Sequence, residues 1–175
     1  MESDEEKKIE YLEKIKGIPT DMLVYVDESG IEINMQKERG WSKIGEKLLA
    51  QISGKIYKRL NVIAGIVNNK PIAPYKYEGS CNTELFVEWV KLLAKELIPG
   101  QTVVMDNATF HKSPKVKEII ESVGCNLVYL PPYSPELNPI EKFWANMKDW
   151  IRQKISDIKE IHCLLKQFFD SFNST

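Results

Sequence analysis

The chain has 175 residues, of which 43% are hydrophobic, and its 24 lysines and arginines nearly balance 25 aspartates and glutamates. This length predicts one domain with a complete hydrophobic core. The net charge of −1 excludes a globally basic nucleic-acid coat, so any nucleic-acid site would depend on local charge. Three widely separated cysteines without metal-finger spacing predict reduced thiols. The sequence contains neither a signal-peptide core at residues 1–16 nor an apolar run long enough for a membrane span.

Apolar periodicity predicts both strands and helices. Six segments have the short apolar or alternating pattern of strands: 22–26, 31–34, 61–67, 71–77, 102–105 and 127–130. Five segments have the apolar spacing of helices: 1–16, 83–97, 114–123, 139–155 and 158–172. Turn residues predict one hairpin at Ser29 and Gly30 and a second at Asn68 and Asn69, and residues 36–55 indicate an extended loop.

The order of these elements predicts the fold class. Strands that alternate with helices join the first strand in parallel, through right-handed crossovers. We therefore expect an α/β fold, with a mixed sheet of about five strands and helices on both faces. The predicted division is a charged N-terminal extension over residues 1–20, a domain over residues 21–156, and a C-terminal amphipathic helix over residues 157–175.

Three acidic residues lie where the predicted elements can bring them together. Asp27 follows the first apolar strand, Asp106 ends the strand at 102–105, and Glu141 lies in the first turn of the long helix. In an open α/β sheet, residues beyond the carboxyl ends of parallel strands face a common crevice. Local roles are the alternative, because both aspartates suit turns and Glu141 suits a capping box with Asn138.

A common crevice would give these carboxylates a specific chemistry. Clustered carboxylates repel one another unless a cation neutralises them. Oxygen ligands select hard ions such as Mg²⁺ or Mn²⁺. Two such ions about 3.5–4 Å apart suit phosphodiester displacement, because one generates hydroxide and the other stabilises the leaving oxygen. On this interpretation Asp27, Asp106 and Glu141 are metal ligands and catalytic residues for phosphoryl transfer.

Three sequence blocks carry a family resemblance. Residues 25–30 (YVDESG), 103–113 (VVMDNATFHKS) and 129–141 (YLPPYSPELNPIE) closely resemble the catalytic core of DDE transposases. The resemblance is to the mariner-type superfamily, in its bacterial insertion-sequence branch. Between Asp106 and Glu141 there are 34 residues (141 − 106 − 1), a spacing that this branch uses.

The resemblance covers roughly residues 22–152 and implies a ribonuclease-H-like fold. It also implies that Asp27, Asp106 and Glu141 form the catalytic and metal-binding triad, with two Mg²⁺ or Mn²⁺ ions. The implied activity is hydrolytic nicking of transposon ends, followed by strand transfer of the freed 3′-OH into target DNA.

Local positive charge and two aromatic residues predict the contacts with DNA. Residues 37–59 contain seven lysines and arginines against two glutamates. On the long helix, Lys148 and Arg152 lie seven and eleven residues after Glu141, and these spacings return to the same face of the helix. The candidate DNA-binding residues are Arg39, Trp41, Lys43, His111, Lys112, Tyr133, Lys148 and Arg152. The alternatives are solvated charges, rings that pack within loops and, for His111, a histidine whose hydrogen bonds are satisfied locally.

The expected partners are DNA and a second copy of the chain on DNA. The residues before the first strand are acidic and unlike a recognition helix, so a helix-turn-helix chain from an upstream reading frame is a further expected partner. We expect no membrane partner and a location in the bacterial cytoplasm, at the nucleoid during action. One alternative function is a non-catalytic or truncated transposase remnant that binds DNA or protein without cleavage. Another is a host nuclease for RNA–DNA hybrids or junctions.

Overall fold

A five-stranded mixed sheet forms the centre of the molecule, in a computed structural model that describes residues 4–31, 59–155 and 160–173. The strands are β1 (Leu23–Ile31), β2 (Leu60–Val67), β3 (Lys70–Glu78), β4 (Thr102–Met105) and β5 (Asn126–Tyr129). The helices are α1 (Asp4–Ile15), α2 (Thr83–Leu93), α3 (Pro114–Ser122), α4 (Ile140–Lys154) and α5 (Ile161–Asp170). Two short 3-10 turns cover Thr20–Met22 and Pro135–Leu137.

The strand order is β3-β2-β1-β4-β5, so β1 lies at the centre of the sheet. The three N-terminal strands pair antiparallel, whereas β4 and β5 run parallel to β1. The later strands are each preceded by a helix, which is the connection that parallel strands require. The prediction of a mixed five-stranded sheet is therefore confirmed.

The first strand is longer than the sequence predicts. β1 continues through Ser29 and Gly30 to Ile31, and it pairs with β2 along its length from Tyr25 to Ile31. The predicted hairpin turn at Ser29 and Gly30 is therefore wrong. Ser29 and Gly30 favour a turn, but they remain in the strand because β2, a distant segment, pairs with them through backbone hydrogen bonds. As a result, Asp27 and Glu28 lie on opposite faces of the sheet.

The second predicted hairpin is confirmed. β2 and β3 pair antiparallel across Asn68 and Asn69, with Val67 opposite Lys70. Both asparagines have positive φ values, 50° and 61°. A two-residue turn of this kind needs the left-handed region at both positions, which asparagine tolerates better than most residues.

Helices cover both faces of the sheet. On one face, α2 and α3 pack over Val24, Val26 and Met105. On the other face, α4 and α5 pack over β2, and Tyr11 of α1 packs over Val104 in a smaller cluster. Within the described segments, no helix combines the length and the apolar composition that crossing a membrane requires.

The last helix shares its core with the long helix. Phe168 of α5 is buried, and its ring lies 5.6 Å from the ring of Phe143 in α4. Ile161, Leu164 and Leu165 belong to the same apolar cluster. The predicted division into residues 1–20, 21–156 and 157–175 stays a prediction.

Candidate active site

The central pair of parallel strands brings two of the three acidic residues together. In the register between β1 and β4, Val24 lies beside Val103 and Tyr25 beside Val104. Two positions further along, the same register leads to Asp27 and Asp106. Side chains alternate along a strand, so these two carboxylates extend from the same face, which is the face covered by α4.

The loop between β5 and α4 brings in the third acid. Leu130 donates its backbone N–H to the carbonyl of Met105 at 2.9 Å, and the amide of Asn107 donates to the carbonyl of Leu130. The buried Ser134 hydroxyl donates to the carbonyl of Pro132 at 3.1 Å. These bonds fix the start of the loop against the end of β4, close to the first turn of α4.

The beginning of α4 differs from the capping box that the sequence left open as the alternative role of Glu141. The helix begins at Ile140 without a side-chain cap, and Glu141 donates its N–H to the backbone carbonyl of Asn138 at 3.2 Å. Oδ1 of Asn138 is buried and has no hydrogen-bond partner in the part of the chain that the structure describes. Glu141 therefore lies in the first turn of α4 and does not form the capping box with Asn138 that was its alternative role.

Asp27, Asp106 and Glu141 line one cavity of about 350 Å³. The loop after β5 forms another wall of this cavity, including the exposed ring of Tyr133. Within residues 4–31, 59–155 and 160–173, no three His, Cys, Asp or Glu side chains are already closed around a single ion position. The three carboxylates therefore line one cavity without meeting at a single ion position.

Burial and negative neighbours act together on Asp27. Burial, together with the nearby charges of Glu28, Glu141 and Asp106, raises the pKa of its carboxyl from 3.8 to about 7. An ionised Asp27 is therefore unfavourable in the folded protein without a compensating cation. The cavity thus offers three carboxylate donors, and the ionised form of Asp27 needs a cation beside it. This donor set matches a hard divalent ion.

Asp106 has the opposite environment. Its Oδ1 accepts a hydrogen bond from Nδ1 of His111 at 2.5 Å and a second from the backbone N–H of Ala108 at 2.8 Å. The His111 bond is the main reason that the pKa of Asp106 lies below its ordinary value, and the Ala108 bond contributes further. Asp106 thus remains ionised where Asp27 resists ionisation.

His111 is the buried centre of this arrangement. Its side chain has no exposed surface, and its Nε2 lies 3.1 Å from Oε1 of Glu28, on the opposite face of β1 from Asp27. Burial alone would lower the pKa of His111, but hydrogen bonds to Asp106 and Glu28 raise it to about 9. A protonated ring donates from both nitrogens.

The burial of His111 corrects its predicted role as a DNA contact. A fully buried ring between two carboxylates does not reach a phosphate, and the alternative of a locally satisfied histidine describes it better. The sequence interpretation missed Glu28 as a neighbour of His111 because it ended the first strand at Val26. A strand that continues through Glu28 separates its side chain from that of Asp27, but the pairing with β2 that extends β1 leaves no local signal.

The other predicted DNA-binding residues have different surroundings. Lys112 is exposed, and Tyr133 is 94% exposed at the mouth of the cavity. Arg152 is paired with Asp149 on α4 at 2.7 Å, and Lys148 is half-buried. The remaining three candidates lie outside the described residues: Arg39, Trp41 and Lys43.

The fold is that of a ribonuclease-H-like α/β domain, and three of its carboxylates line one cavity. The DDE superfamily endonuclease family matches residues 22–162, and the chain therefore belongs to that family. A curated relative, the uncharacterized protein y4pE/y4sA of Sinorhizobium fredii (strain NBRC 101917 / NGR234), is 33% identical over 120 residues. That match covers 65% of this chain and 79% of the relative.

Solved structures of the Mos1 transposase have the same fold. The Mos1 transposase paired-end complex with left transposon end matches with a TM-score of 0.74 and 16% identity, over 95% of this chain and 53% of that chain. The Mos1 mariner paired end complex with Mn matches with a TM-score of 0.73 and 15% identity, over 96% of this chain and 54% of that chain. The chain thus spans about half the length of the Mos1 chains in these complexes.

Proposed function

We propose that this chain is the catalytic part of a DNA transposase, which nicks transposon ends and transfers the freed 3′-OH into target DNA. The observation that carries the proposal is the cavity shared by Asp27, Asp106 and Glu141, at the end of two neighbouring parallel strands in a domain of the DDE superfamily endonuclease family. The bacterial insertion-sequence branch and a location in the bacterial cytoplasm remain predictions from the sequence.

The proposed cofactor is a pair of Mg²⁺ or Mn²⁺ ions held by Asp27, Asp106 and Glu141. The donor set supports this, because hard ions prefer carboxylate oxygens and because burial, with the neighbouring carboxylates, raises the pKa of Asp27 and makes its ionised form favourable only beside a cation. When bound, such ions lower the pKa of a ligand water and stabilise the leaving oxygen of a phosphodiester. One of the matched Mos1 complexes contains Mn, and another contains Mg.

The proposed partner is DNA, which enters over the exposed edge of the cavity. The matched Mos1 complex with a transposon end supports a nucleic-acid substrate for this fold. In this chain, Tyr133 lines the cavity, and the charge of Lys112 helps to lower the pKa of Asp106. Lys148 and Arg152 lie further along α4. Pairing of two transposon ends requires two active sites, so the proposal includes a homodimer on DNA. It also includes a separate helix-turn-helix chain that recognises the ends.

Tyr133→Gly tests whether DNA contacts the mouth of the cavity. Tyr133 has a φ of 53° and an almost fully exposed ring, so glycine removes the ring and also relieves the backbone of an unfavourable conformation. Stacking of an aromatic ring on a base contributes enough that its loss should weaken binding about tenfold. Fluorescence anisotropy with a labelled, nicked duplex in Ca²⁺ measures this affinity.

Tyr133→Phe is the matched control, because it keeps the ring and removes only the hydroxyl. We expect it to bind within about twofold of the parent chain. A Tyr133→Gly variant that binds as tightly as the parent would remove Tyr133 from the DNA interface.

Nicking of supercoiled plasmid tests the proposed function. We expect open circles in Mg²⁺ or Mn²⁺, none in EDTA, and nicks with a 3′-OH that a DNA polymerase extends directly. DNA binding without cleavage in any metal would instead support the non-catalytic remnant. Preferential cleavage of RNA–DNA hybrids in a competition assay would support the host nuclease.

A further inference from the structure

We propose that His111 is a positioning residue, which holds the carboxylate of Asp106 in the orientation that binds the metal ion and is itself anchored by Glu28. This inference rests on the proposed function, since it concerns the ions that Asp106 would bind. It extends that function by two residues outside the acidic triad, His111 and Glu28, whose side chains meet on the face of β1 opposite to Asp27.

The hydrogen bonds to Asp106 restrict its carboxylate to one orientation. Both the backbone N–H of Ala108 and Nδ1 of His111 donate to the same oxygen, Oδ1, at 2.8 Å and 2.5 Å. The side chain of Asp106 is nevertheless half-exposed and lines the cavity with Asp27. With Oδ1 occupied by two donors, Oδ2 is the oxygen left to face an ion in the cavity.

His111 is itself held in place by contacts on every side. Its backbone N–H donates to the carbonyl of Ala108 at 3.1 Å, and its own carbonyl accepts from the hydroxyl of Tyr129 at 3.0 Å. The ring packs against Phe86 and Phe110, with centroids 4.3 Å and 4.5 Å away. A fully buried ring with these neighbours has little freedom to rotate away from Asp106.

Glu28 completes the chain of contacts from the other face of β1. Its Oε1 lies 3.1 Å from Nε2 of His111, and its side chain is only 17% exposed. Because β1 alternates its side chains, Asp27 reaches the cavity while Glu28 reaches His111 beneath the sheet. β1 therefore supplies the carboxylate of Asp27 to the ion and the carboxylate of Glu28 to His111, which orients Asp106.

Residues that orient a metal ligand typically change metal affinity by about 10- to 100-fold when they are replaced. A histidine that only filled space would change the stability of the fold without changing the affinity of a folded variant for metal. Metal affinity and the rotamer of Asp106, measured on folded variants, therefore separate the two roles of His111.

Two amide variants at position 111 make a matched pair. In His111→Asn, the amide nitrogen takes a position close to that of Nδ1, so it can still donate to Asp106. In His111→Gln, the amide group takes a position close to that of Nε2, so it reaches Glu28 and leaves Asp106 with one donor. Both variants lose one of the two bonds of the ring, which makes their metal-free stabilities comparable.

Titration calorimetry with Mn²⁺ on the full chain measures the outcome. We expect His111→Asn to bind Mn²⁺ within about threefold of the parent chain and His111→Gln to bind it about 10- to 100-fold more weakly. Equal affinity of His111→Gln and the parent, or an equal loss in both variants, would overturn the positioning role.

Crystal structures of the metal-free variants decide the same question without any ion. We expect Asp106 to keep its rotamer in His111→Asn and to change it in His111→Gln, and one rotamer shared by both would contradict the inference. A parent chain that binds no Mn²⁺ would contradict the proposed function, while this comparison of rotamers would still decide the role of His111.

A second pair at position 28 applies if the variants at position 111 do not fold. Glu28→Gln keeps an oxygen that accepts from Nε2 of His111, whereas Glu28→Leu removes the acceptor at similar size. We expect Glu28→Gln to retain the Mn²⁺ affinity of the parent within about threefold and Glu28→Leu to lose about tenfold. Equal affinities of these two variants would show that His111 needs no anchor and would overturn the proposal.

Discussion

Asp106→Asn is expected to lower the rate of metal-dependent plasmid nicking by at least about a thousandfold, with the fold intact. The asparagine carbonyl oxygen can still accept from Ala108 and His111, so the local hydrogen bonds persist. The amide nitrogen then faces the cavity, and a nitrogen that carries two hydrogens does not coordinate a cation. The rate of open-circle formation in Mg²⁺ and in Mn²⁺ measures the loss.

Asp21→Asn is the matched control for this experiment, because Asp21 is an exposed aspartate in the turn that precedes β1. It removes the same charge away from the cavity and should nick at the rate of the parent. Circular dichroism and thermal unfolding in EDTA check that both variants are folded. An Asp106→Asn variant that nicks as fast as the parent would exclude Asp106 from the active site.

Asp27→Asn should stabilise the metal-free protein. Burial and the neighbouring carboxylates raise the pKa of Asp27 from 3.8 to about 7. A carboxyl with this difference destabilises the fold by at most ~4 kcal/mol when it is ionised. The variant still buries a polar amide, so we expect a gain of about 2 kcal/mol, or about 4–8 °C in Tm, at pH 8 in EDTA.

The pH dependence of this gain has a definite sign. The unfolded chain ionises Asp27 above pH 3.8, whereas the folded chain keeps it protonated up to about pH 7. The parent chain therefore loses stability relative to Asp27→Asn as the pH rises from about 4 to 7, and the difference is constant above pH 7. At pH 4 the parent no longer has this electrostatic cost, so the buried amide should make Asp27→Asn melt about 4–8 °C below the parent.

Addition of Mg²⁺ or Mn²⁺ should reverse the order of the two proteins. An ion bound to the folded parent raises its Tm, by about 2.7 kcal/mol of stability at a concentration 100 times the Kd. Asp27→Asn should gain far less because it lacks one ligand. Asp21→Asn should follow the parent in both conditions. A lower Tm of Asp27→Asn in EDTA at pH 8 would contradict the electrostatic account of this cavity.

Part of the candidate site could be predicted because two of its three acids stand next to the ends of recognisable elements. Asp106 directly follows an apolar strand, and Glu141 lies in the first turn of a helix after a proline-rich loop, whereas Asp27 lies in the middle of β1. The parallel direction of β4 and β5 relative to β1 followed from the rule that helices connect parallel strands, whereas the order of the strands did not. This topology, rather than any local signal, makes Asp27 a neighbour of Asp106.

The parts that could not be predicted depend on contacts between distant segments. β1 continues through Gly30 because β2 pairs with it, and no local signal in β1 records that partner. The burial of His111 depends on Glu28 and Phe86, which precede it by 83 and 25 residues (111 − 28 and 111 − 86). A histidine a few residues after Asp106 looks accessible in a sequence, and the packing of Phe86 of α2 against its ring encloses it.

Diffraction from a crystal soaked in Mn²⁺, with anomalous data collected near the manganese edge, tests the central claim most directly. The account predicts anomalous peaks in the cavity, about 3.5–4 Å apart if two ions bind, with oxygens of Asp27, Asp106 and Glu141 as their ligands. The three carboxylates should move toward the ions relative to the metal-free arrangement. A cavity without manganese at saturating concentration, or manganese bound without these carboxylates, would contradict the account.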